Sequence, residues 1–265
     1  MQIFTHFFLI FNKKVLSLHH NLSYCMKKLL FITAISVLSL STACTPKQPN
    51  VAQKRAEKRA QDSINLLMQE QSLRYSDSMI LVLQQQVEPL MKQFVYEKND
   101  LYEDHGSYVY KSLKTNNNTA RCYLQTYITD DFRLAAKGYY VGSYPLHINA
   151  ITLLADSMQQ SFSGVNHSFE TELYHEIFTL DDENSTALLQ FISAFENSKL
   201  RIQFLGTKST YRFVLAEQDK HALIETLRLA TLMKDIHQLE LQARQASLQI
   251  QKYQNRRENV KNNEK

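Results

Sequence analysis

Apolar residues recur at helical spacing in two long stretches of the chain, and at the spacing of strands in the stretch between them. From Val51 to Phe94 there is no glycine, and Ala, Lys and Gln are frequent, a text that favours helix. Within it Leu66, Gln69, Leu73, Ser76, Ile80, Leu83, Val87 and Leu90 follow one another at alternating steps of three and four. These are the a and d positions of a heptad seam, with Gln69 and Ser76 as its polar members. Pro89 predicts a kink or an end close to residue 92. Helical text returns at Glu217. There Leu229, Leu232, Ile236, Leu239, Ala243, Ala246, Ile250 and Tyr253 keep the same steps. Each seam is about 37 Å long at ~1.5 Å per residue. One helix leads into the middle of the chain and the other leads out, so a pair would run antiparallel. It would match residues whose numbers sum to about 319, such as Ile80 with Leu239. Ala243 and Ala246 would then admit close approach beside Leu73 and Ser76. The rival arrangements are a parallel homodimer through 229–253, or each stripe packed on the intervening sheet.

Residues 94–216 read differently. In "KLRIQFL" (199–205), Leu200, Ile202 and Phe204 alternate with Lys199, Arg201 and Gln203, the pattern of a half-buried strand. "TYRFVL" (210–215) follows the hairpin-like loop "GTKS". "ARCYLQTYI" (120–128) and "PLHINAITL" (145–153) are further strands. "SFETELYHEIFTL" (168–180) reads as one strand, with Phe169, Leu173 and Ile177 inward and Glu170, Glu172 and Glu176 outward. "STALLQFISAFENS" (185–198) places Leu188, Phe191, Ile192 and Phe195 on one helical face. The expected fold is α+β: an antiparallel sheet or small sandwich with one packed helix, flanked by two long helices at 51–92 and 217–253 that pair as a coiled coil. The last stretch, 254–265, has almost nothing to bury and reads as a disordered tail.

Ahead of the first helix lies a different kind of segment, "SYCMKKLLFITAISVLSLSTACTPKQPN" (23–50). Lys27 and Lys28 make a positive start, Leu29–Leu40 an apolar run, and Ser41-Thr42-Ala43 a set of small residues before Cys44. These are the three parts of a secretory signal. The apolar run is too short to cross about 30 Å of hydrocarbon as a helix. Thr45–Asn50, with two prolines, reads as a tether. Residues 1–25 carry no acid and no coherent signal of their own, so translation is expected to start at Met26, the alternative being a long n-region that is removed with the signal, with 26–43 the signal and 44–50 the tether.

Leu40-Ser41-Thr42-Ala43-Cys44 resembles the lipobox of bacterial lipoproteins, although Ser41 stands where leucine is usual. As a whole the chain resembles lipoproteins of Gram-negative bacteria of the Bacteroidota type, the specific match covering only Lys27 to Cys44. The resemblance implies acylation of Cys44, attachment to the lipid bilayer, and a place in the cell envelope. The absence of an acidic cluster after Cys44 points to the periplasmic face of the outer membrane.

The signal also alters the charge argument. The chain has 30 basic and 26 acidic residues; the four lysines before Cys44 leave 26 against 26. That balance gives no basic footprint for nucleic acid. Of three cysteines, Cys25 precedes the expected start and Cys44 is the lipid site. Cys122 then has no partner for an intrachain disulfide.

Candidate chemistry is sparse. "ELYHEIF" (172–178) joins Glu172 and His175 but lacks the second histidine of a zinc peptidase motif. "DLYEDHGSYVY" (100–110) groups Asp104 and His105 as a hard cation would need, without the spacing of an EF-hand loop. Asp181, Asp182 and Glu183 suit the start of a helix. Tyr139-Tyr140, with Tyr144, would form a stacking edge. Five scattered glycines provide no phosphate loop, and nothing calls for a cofactor or a metal. The reading is a non-catalytic binding or scaffold module. The alternatives are an envelope enzyme using these acids and histidines, or a subunit that docks on a protein partner through its helices.

Overall fold

A computed structural model describes residues 51–99, 102–114 and 121–263, with side chains over 53–98, 106–114 and 121–260. The expectations for residues 1–50, Cys44 among them, lie outside these. The chain divides into two compact units, 1–61 and 62–265. In the first, the described residues are the opening turns of helix α1 (Val51–Met91), exposed at each position from Gln53 to Gln61.

The second unit is α+β. After α1 come strands β1 (Phe94–Asn99) and β2 (Tyr102–Tyr110), a single helical turn α2 (Lys111–Lys114), then β3 (Tyr123–Thr129), β4 (Leu134–Gly142), β5 (Ile148–Ala155), β6 (Met158–Ser163), β7 (Val165–Glu170) and β8 (Tyr174–Leu180). Helix α3 (Asp182–Ala194) precedes β9 (Leu200–Gly206) and β10 (Thr210–Val214), and helix α4 (Glu217–Asn263) completes the chain. One antiparallel sheet has the order β1-β2-β3-β4-β8-β7 and the other β10-β9-β5-β6. The chain passes from the second to the first at Gly164, between β6 and β7.

The sheets approach closely over Gly138 in β4. A Cβ built there would lie 2.8 Å from both Ile151 Cδ1 and Phe204 Cε1. A larger residue would force the Ile151 and Phe204 side chains to shift, at a cost in an interior packed without slack. Ile151, Leu153, Ile202 and Phe204 of the smaller sheet are fully buried here, as are Leu124, Ile128 and Phe178 of the larger. Leu200, Ile202 and Phe204 of 199–205 are buried as expected, Gln203 is buried as well, its Oε1 accepting from Arg212 Nε, and β10 pairs antiparallel with β9, Thr210 opposite Leu205.

Helix α3 begins where the acidic run predicted. Asp181 is the N-cap, its Oδ1 accepting from Asn184 N at 2.8 Å. Asp182 Oδ1 accepts from Leu134 N at 2.7 Å and Lys234 Nζ lies 3.3 Å from it, so one carboxylate joins β4, α3 and α4. Ser185 Oγ accepts from Ala136 N and donates to Leu180 O. The buried face is Leu188, Leu189, Phe191 and Ile192, and Phe195 is the C-cap.

The two long helices pair as the heptads predicted. All eight seam positions of α1 and all eight of α4 are buried or half-buried. Leu66, Ser76 and Ala246 are buried beyond the main core cluster, which takes in only the ends of the helices nearest the sheets. Arg257 Nη2 donates to Ser63 Oγ at 2.7 Å, and these numbers sum to 320. This bond agrees with the antiparallel pairing read from the spacing. Helix α1 runs through Pro89 to Met91. Helix α4 continues to Asn263, which corrects the expected disordered tail from 254. That stretch has few apolar groups, but Gln, Arg, Glu and Lys are strong helix formers and extend a helix already nucleated.

Candidate functional site

The stretch 168–180 is a hairpin, not one strand. β7 ends at Glu170, Thr171–Leu173 form the bend, and β8 starts at Tyr174. Thr171 N donates to Leu173 O at 3.0 Å across it. The bend keeps the parity, with Phe169 opposite His175, but the two faces are the reverse of those expected, and the inward set on β8 is Glu176, Phe178 and Leu180. Phe169 and Leu173, expected inward, are exposed, and Glu176, expected outward, is 1% exposed.

Glu176 is the densest polar junction among the described residues. Its Oε1 accepts from Leu146 N at 2.5 Å and His147 N at 2.7 Å. Its Oε2 accepts from Ile148 N at 2.8 Å and Asn166 Nδ2 at 2.7 Å. Three consecutive backbone N–H groups entering β5 thus converge on one carboxylate from the other sheet, and a side chain from β7 completes the set. The loop that presents them is tight: His147 has φ 54°, and a Cβ on Gly206 would lie 2.0 Å from Leu146 O. Burial pushes the Glu176 carboxyl up, but the backbone donors and Asn166 outweigh it and hold the carboxyl below its ordinary value. With both oxygens doubly occupied, the carboxylate has no lone pair to offer a substrate. It is a clasp between the two sheets.

The four residues singled out from sequence do not come together. Glu172 is exposed in the bend. His175 lies on the outer face of β8, half-buried, its ring stacked on Phe169 at 4.9 Å and 2°. That face is opposite to the one carrying Glu176. Asp104 and His105 fall within β2, with side chains outside the described ones. Among the described residues no group of three His, Cys, Asp or Glu side chains is placed to hold a metal ion.

Tyr139 and Tyr140 separate onto opposite faces of β4. Tyr140 is 2% exposed and donates to Tyr144 O at 3.1 Å, and burial pushes its hydroxyl up to about 12. Tyr139 points outward and stacks on Tyr123 at 4.6 Å and 11°. Beside them Lys137 Nζ stands 4.9 Å over the Tyr127 ring. The outer face of β3, β4, β8 and β7 therefore carries a band of rings and one ammonium, ending in the Phe169–His175 stack. Cys122 is buried against Val141, and burial raises its thiol, which leaves it an unreactive small apolar group.

An open cleft of about 630 Å³ lies where α3 leads to β9 and β10 leads to α4. Its deepest charge, the Lys220 ammonium, is taken up by Ser198 O at 3.1 Å and Glu217 Oε2 at 2.8 Å. Glu196 and Lys199 at the rim balance in sign. The Ser198 hydroxyl of its lining donates to Asp156 Oδ2 at 2.9 Å.

No protein family, no curated protein and no solved structure matches this chain. Among the described residues no helix is long and apolar enough to cross a membrane.

The clasp was missed because a glutamate in an alternating strand is ordinarily on the wet side. A signal was present. Glu176 shares its parity with Tyr174, Phe178 and Leu180, the more apolar set of β8 once Thr171–Leu173 is read as a bend.

Proposed function

We propose that this protein is a cell-envelope lipoprotein, anchored through acylated Cys44, that acts as a non-catalytic binding or scaffold module. The observation that carries this reading is the coil of α1 and α4. A long two-helix seam adds no pocket and no reactive group; its physical output is length and stiffness between a chain terminus and a folded module. The tether Thr45–Asn50 stands between Cys44 and the start of α1 at Val51, which is the order an anchored spacer requires. Three carboxylates of this unit are engaged in structure: Asp181 caps a helix, Asp182 joins three elements and Glu176 clasps the sheets. The ring-lined outer face of the larger sheet is the binding surface this reading favours, since aromatic faces contribute contact area at little entropic cost. The periplasmic face of the outer membrane is the location that follows from the signal.

The test is incorporation of radiolabelled palmitate. The wild type is expected to take up label and sediment with membranes; Cys44→Ala is expected to do neither. Equal labelling and membrane partition of both proteins would overturn the reading.

A further inference from the structure

Helix α1 is apolar on two sides. Opposite the seam that meets α4, Ile64, Leu67, Met68, Tyr75, Leu81 and Val82 stand 47–62% exposed. Positions 64, 68, 71, 75, 78 and 82 follow one another at steps of four and three, a second heptad seam with Gln71 and Ser78 as its polar members. Leu67 and Leu81 flank it. Exposed apolar side chains scattered singly are normal, but a contiguous stripe of this length marks an interaction surface.

We infer that this stripe is the interface of a parallel homodimer, α1 of one copy lying along α1 of a second. The area suffices. Six side chains about half exposed offer roughly 100 Å² each, so two copies bury about 1,200 Å², the lower bound of specific interfaces. A stripe presented to itself satisfies the requirement of a two-fold interface that the same patch serve both sides. Charge selects the orientation. Within the span of the stripe, 64–82, Arg74 is the one charged residue on the flank shared with Leu67 and Leu81. Antiparallel pairing about the middle of the stripe would bring Arg74 against Arg74 of the second copy. Parallel pairing instead puts Arg74 beside Met79 of the second copy. It also brings Gln71 to Gln71, where paired amides fix the register as a buried polar residue does in parallel coils. The outer face of α4 offers only Leu241 and Leu248 at the corresponding spacing, so α1 is the interface and α4 lies outside it. This inference holds whether or not Cys44 carries lipid.

Sedimentation equilibrium of the full-length protein in density-matched detergent under reducing conditions tests it. The wild type is expected to show a dimer mass at micromolar concentration. Met68→Glu combined with Tyr75→Glu is expected to give the monomer with an unchanged circular dichroism spectrum, while Leu241→Glu with Leu248→Glu leaves the dimer. A wild-type monomer up to about 100 µM, or a dimer that survives the α1 glutamates or dissolves with the α4 pair, would overturn the proposal. Tyr75→Cys should yield, on mild oxidation, a peptide joined to its own copy through position 75. A bond between Ile64→Cys of one copy and Val82→Cys of another, with none at 75, would overturn the parallel arrangement.

Discussion

The sandwich and the coil are held together in different ways. In the sandwich the strands are tied by ladders within each sheet and by side chains packed between the two sheets, which meet closely over Gly138. In the coil beyond the main core, each seam residue has one opposing helix and water on its other sides. Leu66, Ser76 and Ala246 are buried by that contact, outside the cluster that joins the sheets, α3 and the near ends of both helices. The sandwich is thus expected to open as one unit, and the far half of the coil to open earlier and in part.

The comparison is broken most severely inside the sandwich. Phe204→Ala removes a fully buried ring from between the sheets and should cost about 3–5 kcal/mol in urea unfolding. If it shifts only a minor phase, the sandwich is not the cooperative unit. Glu176→Ala leaves three backbone N–H groups and the Asn166 amide facing an emptied site, and should cost about 3 kcal/mol. Glu176→Gln should rescue little, because its amide would point a donor at donors. The same residue gives the acid limb of stability. Its folded-state carboxyl lies below the ordinary value of 4.5. Its stabilisation is therefore complete above the unfolded value and is lost as pH falls through the lower, folded one. Unfolding free energy measured from pH 7 downward should fall less steeply in Glu176→Ala than in the wild type across that window; parallel curves would refute the clasp.

Changes in the coil should be smaller and confined to it. Ala246→Leu adds bulk at a buried seam position and should cost about 1–3 kcal/mol, with amide exchange quickened in 62–80 and 236–257 and not in the strands. Ile80→Cys with Leu239→Cys, in a Cys122→Ser background, should crosslink within one chain; no crosslink there or one residue away would contradict the register. The smallest effect has the opposite sign. Ser76 is fully buried and its hydroxyl has no hydrogen-bond partner. Ser76→Ala should raise the thermal midpoint, by about 1 kcal/mol of added stability.

The same contrast governs what could be read from the sequence. The coil was legible because its contacts repeat along a single period, and the bond between Ser63 and Arg257 agrees with the antiparallel pairing expected from spacing. The β9–β10 hairpin was legible because one clean alternation and one short loop determine it. The β7–β8 hairpin was not, because the bend at Thr171–Leu173 carries no Gly, Pro or Asn to announce it. The alternation was read with its two faces exchanged: Phe169 and His175 share the outer face, and Glu176 lies on the inner one. The candidate site failed for the same reason. His175 and Glu172 are neighbours in the chain, but bend and pleat send them in different directions, and only the cross-strand register reveals that Phe169 is the partner of His175.

The near-equal seams of α1 and α4 also limit how this molecule can evolve. The two sides of the coil are encoded far apart, with the whole sandwich between them. Lengthening one helix alone would strand its new seam positions against water and slide the rest out of step. Reach can grow or shrink only when gains or losses of about seven residues occur in both helices. A lineage that altered it would carry matched insertions at two distant places in one gene, and the intervening segment could remain unchanged.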